Sequence, residues 1–260
     1  MSEVTRAFAT TSVGRVRQRN EDAFLLMPEQ DLYVVADGMG GHLRGDVAAN
    51  LCVDAIRDWF TGKVGDDMMN RVAGAVRALF GLHSPGETDL VAAVDFANRV
   101  IYEMSVASTA FRGMGTTLVG TYFHGATLFV VYSGDSRLYR FRNGRLRQLS
   151  RDHSLLNEYL RLEMIRPEDA KNFPHRNVIM KALGLKERAE LEFFRRRVRK
   201  GDVYLLSSDG LTDMVEDEEI EEILADGGSL EEMCQKLVDA AMESGGHDNI
   251  TVMLVEYRGS

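Results

Sequence analysis

Four aspartates in this 260-residue chain sit where an apolar, strand-like run meets a turn. Asp37 follows Leu32-Tyr33-Val34-Val35-Ala36 and precedes Gly38-Met39-Gly40, while Asp135 lies in Gly134-Asp135-Ser136-Arg137. Asp209 lies in Ser207-Ser208-Asp209-Gly210 and Asp248 in Gly245-Gly246-His247-Asp248-Asn249. One such residue is ordinary turn chemistry, but the repetition is not. A carboxylate at a strand end, next to glycines, places an anionic ligand at a sheet edge with the backbone free to come close. Carboxylates without cysteine or paired histidine partners select hard, oxygen-preferring ions, Mg²⁺ or Mn²⁺, over zinc. Two such ions ~3.5 to 4 Å apart can share a water, lower its pKa from ~16 towards neutrality and present it to a phosphoryl group. The chemistry indicated is hydrolysis of a phosphate ester. Its phosphate oxygens need a cation, and Arg17, just upstream of Asn20-Glu21-Asp22, carries the planar fork that suits them.

The elements that must position these residues come in blocks. Strand texture covers Val4 to Ser12, Ala23 to Met27 and Leu32 to Ala36, the last two joined by Pro28-Glu29-Gln30-Asp31 as a hairpin. Helical spacing follows from Asp46 to Phe60, Asp66 to Phe80 and Thr88 to Val106, with a breaker-rich interruption from Gly81 to Gly86. Strands return at Thr116 to Phe123, Thr127 to Tyr132, Arg137 to Arg142 and Leu146 to Leu149, with Asn143-Gly144 as a hairpin turn. A helix over His153 to Glu163 leads into an irregular stretch, then strands at Glu190 to Val198 and Val203 to Ser207. Helices at Asp217 to Leu224 and Ser229 to Ser244 precede a final strand, Ile250 to Tyr257. Blocks without regular βα alternation indicate an α+β layered architecture.

Bulk composition narrows the classes. A hydrophobic content of 45% supports a sizeable core, and the spread of the acids along the chain favours one domain over residues 1–260. The net charge of -9 argues against a nucleic-acid footprint, which needs a clustered basic excess. Cys52 and Cys234 form no zinc spacing and suit a reducing compartment. The N-terminal residues lack a signal-like apolar core, and no window approaches the ~18 apolar residues of a membrane span. A cytoplasmic monomer without membrane insertion is expected.

The blocks together resemble a known family. Arg17-x-x-Asn20-Glu21-Asp22, Asp37-Gly38-Met39-Gly40-Gly41-His42, Gly115-Thr116-Thr117, Gly134-Asp135-Ser136-Arg137, Arg176-Asn177-Val178-Ile179 with Ala182-Leu183-Gly184, Ser208-Asp209-Gly210-Leu211 and Asp248-Asn249-Ile250-Thr251 occur in the order of the bacterial metal-dependent protein phosphatases of type 2C. The resemblance covers nearly the whole chain. It implies a four-layer αββα sandwich, with two antiparallel sheets face to face and helices on both outer sides. It further implies that Asp37 bridges two Mn²⁺ or Mg²⁺ ions, that Asp209 and Asp248 complete one site, and that the Gly38 carbonyl and a water held by Glu21 serve the other. Asp135 with Asp209 would hold a weaker third ion. Arg17 would clamp the phosphate, Asp22 would order waters and Arg17, and Asn249 would orient Asp248. The implied substrates are phosphoserine and phosphothreonine in proteins targeted by a cognate serine/threonine kinase.

A flap over 163–176 is implied too; separately from the resemblance, the basic residues Arg161, Arg166, Lys171 and Arg176 are candidates to meet an acidic or phosphorylated peptide there. Met39 stands where the animal branch has a histidine proposed to protonate the leaving group, which leaves a water, or His42 further along the loop, as donor. Arg195-Arg196-Arg197 reads as an edge strand blunted by charge. His153 reads as part of a helix entry, with Asp152 or Ser154 as its cap. Two rival functions are a phosphoprotein-binding pseudo-phosphatase without turnover and a hydrolase of small phosphate esters.

Overall fold

The computed structural model describes residues 4–40, 44–174 and 178–259. His42, Arg176 and Asn177, singled out above, lie outside the described residues, as does the side chain of Lys171.

Two antiparallel sheets form the centre. The first has the order β1 (Thr5–Ser12), β11 (Ile250–Tyr257), β10 (Val203–Ser207), β7 (Arg137–Arg142) and β8 (Arg145–Gln148). The second has the order β2 (Asp22–Met27), β3 (Leu32–Met39), β5 (Leu118–His124), β6 (Thr127–Ser133) and β9 (Glu192–Arg197), with the short β4 (Gly115–Thr116) pairing the end of β3. Helices α1 (Gly45–Phe60), α2 (Asp66–Phe80) and α3 (Pro85–Ala107) cover the second sheet. Helices α5 (Asp209–Thr212), α6 (Asp217–Asp226) and α7 (Leu230–Glu243) cover the first, and α4 (Leu155–Arg161) precedes the 163–176 segment. The chain is thus the expected αββα sandwich.

Period-two side-chain alternation explains the layers. Along β3, Leu32, Val34 and Ala36 pack towards the helices while Tyr33 and Val35 face the other sheet. Along β11, Ile250, Val252 and Leu254 pack under the helices while Met253, Val255 and Tyr257 enter the inter-sheet core. These strands are apolar on both faces, which is why they read as unbroken hydrophobic runs.

Register then gathers the acids. Asp22, first in β2, lies opposite Asp37, near the end of β3. Leu118, first in β5, lies opposite Ser133, the last of β6, so Gly134 and Asp135 leave at that end. Ser207, last of β10, lies opposite Val252 near the start of β11, which places Asp209 beside Asp248 and Asn249. Hydrogen bonds from Ser208 Oγ and Thr251 Oγ1 to Asp22 Oδ2, at 2.8 and 2.6 Å, join the two sheets at this same end.

Some boundaries differ from the sequence reading. β3 continues through Asp37 and Gly38 to Met39 because Gly38 and Met39 pair with Thr116 and Gly115 of β4. α3 starts at Pro85 rather than Thr88, since proline suits the first helical position and Gly86 packs against the Phe129 and Tyr122 rings, where a Cβ would stand 3.1 Å from each. α4 is shorter than expected because Ser154, not Asp152, caps it, accepting from the Asn157 N–H at 3.3 Å. The stretch after Glu163 contains a 3-10 turn over Pro167–Asn172. β9 is an edge strand, and Arg195, Arg196 and Arg197 are exposed along it, as the charge pattern suggested. No helix among the described residues is long and apolar enough to cross a membrane.

Far from the acids, Asp202 fixes the turn into β10. It is 1% exposed, binds both ends of the Arg142 fork, and accepts from the Arg199 N–H and the Tyr204 hydroxyl at 2.8 and 3.1 Å. Removing one partner of such a pair leaves the other desolvated and unpaired. Asp202→Ala is therefore expected to lose about 3 kcal/mol, read as a lower urea midpoint at unchanged m-value. A loss under about 1 kcal/mol would place this pair among weak surface bridges.

Candidate metal centre

Asp37 is the hub of the acidic end. Its backbone N–H donates to Thr117 Oγ1 at 3.1 Å, and its carbonyl accepts from the Thr117 N–H and Thr116 Oγ1 at 2.8 and 2.9 Å. Thr117 Oγ1 is in turn 2.7 Å from Ser136 Oγ, which links the Asp37 strand to the turn carrying Asp135. These hydroxyls fix the backbone and leave the carboxyl group for other work. The Asp37 and Asp209 side chains are within hydrogen-bond reach of each other.

Burial, then the neighbouring Asp209 and Asp22, push the Asp37 pKa well up. Burial also raises Asp209, reinforced by Asp135, Asp213 and Asp248, while a hydrogen bond to Asp37 opposes this. Asp135 is pushed up to about 7 by burial first and by Asp152 next. Asp22 is pushed up to about 6, again chiefly by burial, against the hydroxyls of Thr251 and Ser208 that favour its charged form. Such shifts mark carboxylates crowded together without enough positive charge. Three of the oxygens, Asp22 Oδ1, Asp135 Oδ1 and Asp209 Oδ1, are buried with no hydrogen-bond partner among the described residues.

A second cradle forms around two glycines. A Cβ on Gly38 would stand 2.1 Å from the Gly45 carbonyl oxygen and 2.5 Å from that of Glu21. A Cβ on Gly45 would stand 2.6 Å from both Glu21 Oε2 and the Gly38 carbonyl oxygen. The Glu21 carboxylate and the Gly38 carbonyl therefore meet over a gap that only glycine leaves open. Burial, then Asp46, raises the Glu21 pKa as well.

On the rim, Arg17 Nη2 donates to Asp248 Oδ2 at 2.7 Å, with the two side chains 54% and 37% exposed, so the guanidinium keeps donors facing solvent. Asp248 Oδ1 accepts from the Asn249 backbone N–H at 2.8 Å. The Asn249 side chain is fully employed elsewhere: its Oδ1 accepts from the Glu21 N–H at 2.8 Å and its Nδ2 donates to the carbonyls of Val13 and Arg19 at 3.0 and 2.9 Å. It thus clamps the loop that carries Arg17. Asp22 bonds Ser208 and Thr251 rather than Arg17.

Beside Asp135 and Asp209 opens a cleft of about 680 Å³, lined by Arg137, Arg151, Asp152, Asn157, Asp213 and Ala170. Arg137 is bound by both oxygens of Asp152 at 2.8 to 3.1 Å, so Arg151 is the basic side chain left on that wall. Among the described residues, two of the arginines expected to meet a peptide are paired locally, Arg161 with Glu158 and Arg166 with Glu168 and Asp169.

The structure brings Asp37, Asp209, Asp135, Asp248, Glu21, Asp22, Gly38, Asn249 and Arg17 to one end of the sandwich. Thr117, Ser208, Thr251 and Gly45, which hold them, and Asp213, which shares their field, were not identified as site residues from the sequence. Thr117, Ser208 and Thr251 adjoin the acidic motifs, but their hydrogen bonds span up to 229 residues of sequence and leave no local pattern. Among the described residues no three acids or histidines close on one point as a finished ligand shell. Mg²⁺-like ions do not require one, because they keep several waters and take one or two carboxylates each. Oxygen-only donors, unpartnered buried oxygens and mutual repulsion fit such ions.

Comparison with known proteins agrees with this chemistry. The family described as Protein phosphatase 2C matches residues 11–254. A serine/threonine phosphatase, stp, of Listeria monocytogenes is 37% identical over 249 residues, covering 95% of this chain and 93% of that protein. The serine/threonine protein phosphatase PstP of Mycobacterium tuberculosis is 36% identical over 253 residues, covering 97% of this chain and 45% of that longer protein. A crystal structure of the M. tuberculosis phosphatase PstP/Ppp superposes with a TM-score of 0.84 at 35% identity, over 98% of this chain and 99% of that one. The PstP catalytic domain in complex with two manganese ions gives a TM-score of 0.80 at 34% identity, over 97% and 98% of the two chains. The chain belongs to the protein phosphatase 2C family, the metal-dependent serine/threonine protein phosphatases.

Proposed function

We propose that this chain hydrolyses phosphoserine and phosphothreonine esters in proteins at the acidic end of its sandwich, with two Mn²⁺ or Mg²⁺ ions and a weaker third. The observation that carries the reading is the group of buried and half-buried carboxylates, with oxygens on Asp135 and Asp209 unpartnered among the described residues, under a solvent-facing Arg17. Asp37, Asp209 and Asp248 would hold one ion, Asp37 with the Gly38 carbonyl and a water on Glu21 the other, and Asp135 with Asp209 the weaker third. When bound, such ions lower the pKa of an attacking water and offset charge on the phosphoryl oxygens.

The protein's own part is placement. Arg17, held by Asp248 on a loop clamped by Asn249, offers its remaining donors to the phosphate. Thr116 and Thr117 keep the Asp37 backbone still, so its carboxylate is pre-oriented at no cost during reaction. Met39 has no proton to give a departing serine or threonine oxygen, and water is the donor this reading assigns. The open cleft beside Asp135 and Asp209 leaves space for residues flanking the phosphorylated one. That width favours a protein substrate over a small metabolite. The reading places the chain opposite a serine/threonine kinase, as a cytoplasmic monomer.

Mn²⁺-supported hydrolysis of a phosphothreonine peptide should be abolished by EDTA and reduced roughly 100-fold or more in Asp209→Asn, with the fold retained. Turnover of a small phosphorylated metabolite as fast as of the peptide would instead support a small-ester hydrolase, and no turnover with any divalent ion a binding module. The raised carboxyl pKa values also set a pH dependence. A cation must displace any proton held by these groups, so its affinity falls as pH drops below the raised values, near 7 for Asp135 and 6 for Asp22. Mn²⁺ affinity should fall by ~10-fold or more from pH 8 to pH 6, with proton release on binding at pH 7. Calorimetry in buffers of different ionisation enthalpy would show this, and flat affinity without proton release would contradict it.

A further inference from the structure

His153 is buried, 8% exposed, and lies behind the turn that carries Asp135. Its Nδ1 accepts from the Gly134 N–H at 3.1 Å. A neutral imidazole that accepts at Nδ1 carries its proton on Nε2. That nitrogen stands 2.9 Å from Glu192 Oε1, which also takes the Lys181 ammonium at 3.2 Å. Glu192 Oε2 accepts from the Tyr132 hydroxyl at 2.6 Å, and the Tyr132 ring stacks on the imidazole with centroids 5.2 Å apart. Ring position, tautomer and acceptor direction are therefore all fixed from behind. Burial lowers the His153 pKa, in keeping with a neutral ring.

The backbone of the same residue makes further ties. Its N–H donates to the Gly134 carbonyl at 2.9 Å, and its carbonyl accepts from the Met180 N–H at 2.7 Å. The next residue, Ser154, caps α4, the helix that leads into the 163–176 segment. Gly134 itself has φ +108°, and a Cβ there would stand 2.6 Å from the Thr117 side chain. A glycine backbone in that region has no side chain to hold it, so the imidazole and Thr117 on either side must do so. One residue on is Asp135, with its buried, unpartnered Oδ1.

We infer that His153 is a positioning residue for Asp135, fixing through the Gly134 N–H the carboxylate that faces the cleft and tying it to the flap entry. This rests on the reading that Asp135 holds a cation. A histidine serving only to fill the core would be replaceable by any side chain of similar volume. A positioning role depends on which nitrogen is mimicked. Asparagine places an oxygen near Nδ1 and can still accept from Gly134, whereas glutamine places its amide near Nε2 and can bond only Glu192.

The test measures Mn²⁺ binding isotherms and metal-free melting curves for the unaltered chain, His153→Asn, His153→Gln and Asp135→Asn. The weaker class of Mn²⁺ sites should lose ~10-fold in affinity in His153→Gln, the size expected for a residue that orients a ligand. It should be lost in Asp135→Asn, stay near the unaltered value in His153→Asn, and the tighter class should hold throughout. If Asp135→Asn weakens that class while His153→Gln does not, or both His153 variants weaken it equally, the inference fails and the reading of Asp135 stands. If Asp135→Asn changes nothing, that reading fails first. Should His153→Gln not fold, Glu192→Gln decides, since it frees the ring to move its proton to Nδ1: a weakened second class supports the inference and an unchanged one overturns it.

Discussion

Repulsion among carboxylates at one end of the sandwich is the constraint on which the rest depends. Asp22, Asp135, Asp209 and Asp248 all raise the energy of the charged form of Asp37, and burial compounds it. A protein selected for stability alone would replace such a cluster with apolar or paired residues. Its persistence in a well-packed sandwich makes sense if divalent cations supply the missing charge. Arg17, the cation bonded directly to this ring, sits on the rim and is half exposed, where it suits a ligand better than it neutralises the interior.

The scaffold answers that repulsion with neutral donors and close backbone approaches. Thr117, Thr116, Ser208, Thr251 and the Asn249 amide bond the acids or the backbone beside them, and Gly38 and Gly45 admit the Glu21 carboxylate. Each donor comes from a strand end of one sheet and many reach the other, so the αββα architecture and the centre are one construction. The segment after α4 is attached differently: α4 is entered through Ser154 beside His153, and Arg161 and Arg166 pair with nearby acids rather than with the centre. On the proposed function, the peptide around the phosphorylated residue would meet the cleft walls, among them Arg151 and Asp213.

The sequence made the acids legible because each sits where a strongly apolar strand meets glycine or a turn, and two-sided burial makes such strands conspicuous. Strands and helices in separate blocks made an α+β layered domain legible, whereas the four-layer order was implied by the family resemblance of the motifs. What joined these pieces was not legible. The bonds from Ser208 and Thr251 to Asp22 and from Asn249 to the Glu21 backbone are contacts between distant segments, with no local period to reveal them. Asn249 was expected to orient Asp248 through its side chain, whereas the structure uses its backbone N–H for that and its amide to clamp the Arg17 loop. His153 looked like helix entry from its neighbours, and the helix does begin one residue beyond its Ser154 cap. Its buried partners Glu192, Tyr132 and Gly134 come from elsewhere in the chain. The end of β3 was misplaced because its last pairing is with β4, a strand too short to show a pattern.

The central claim is that Asp37 sits between two cations. Electron paramagnetic resonance of the chain loaded with Mn²⁺ reads this directly, because two ions ~3.5 to 4 Å apart are spin-coupled. The account predicts a coupled-pair signal that grows in at two equivalents and is lost in Asp37→Asn. Only isolated, uncoupled Mn²⁺ spectra at saturation, unchanged by Asp37→Asn, would contradict it.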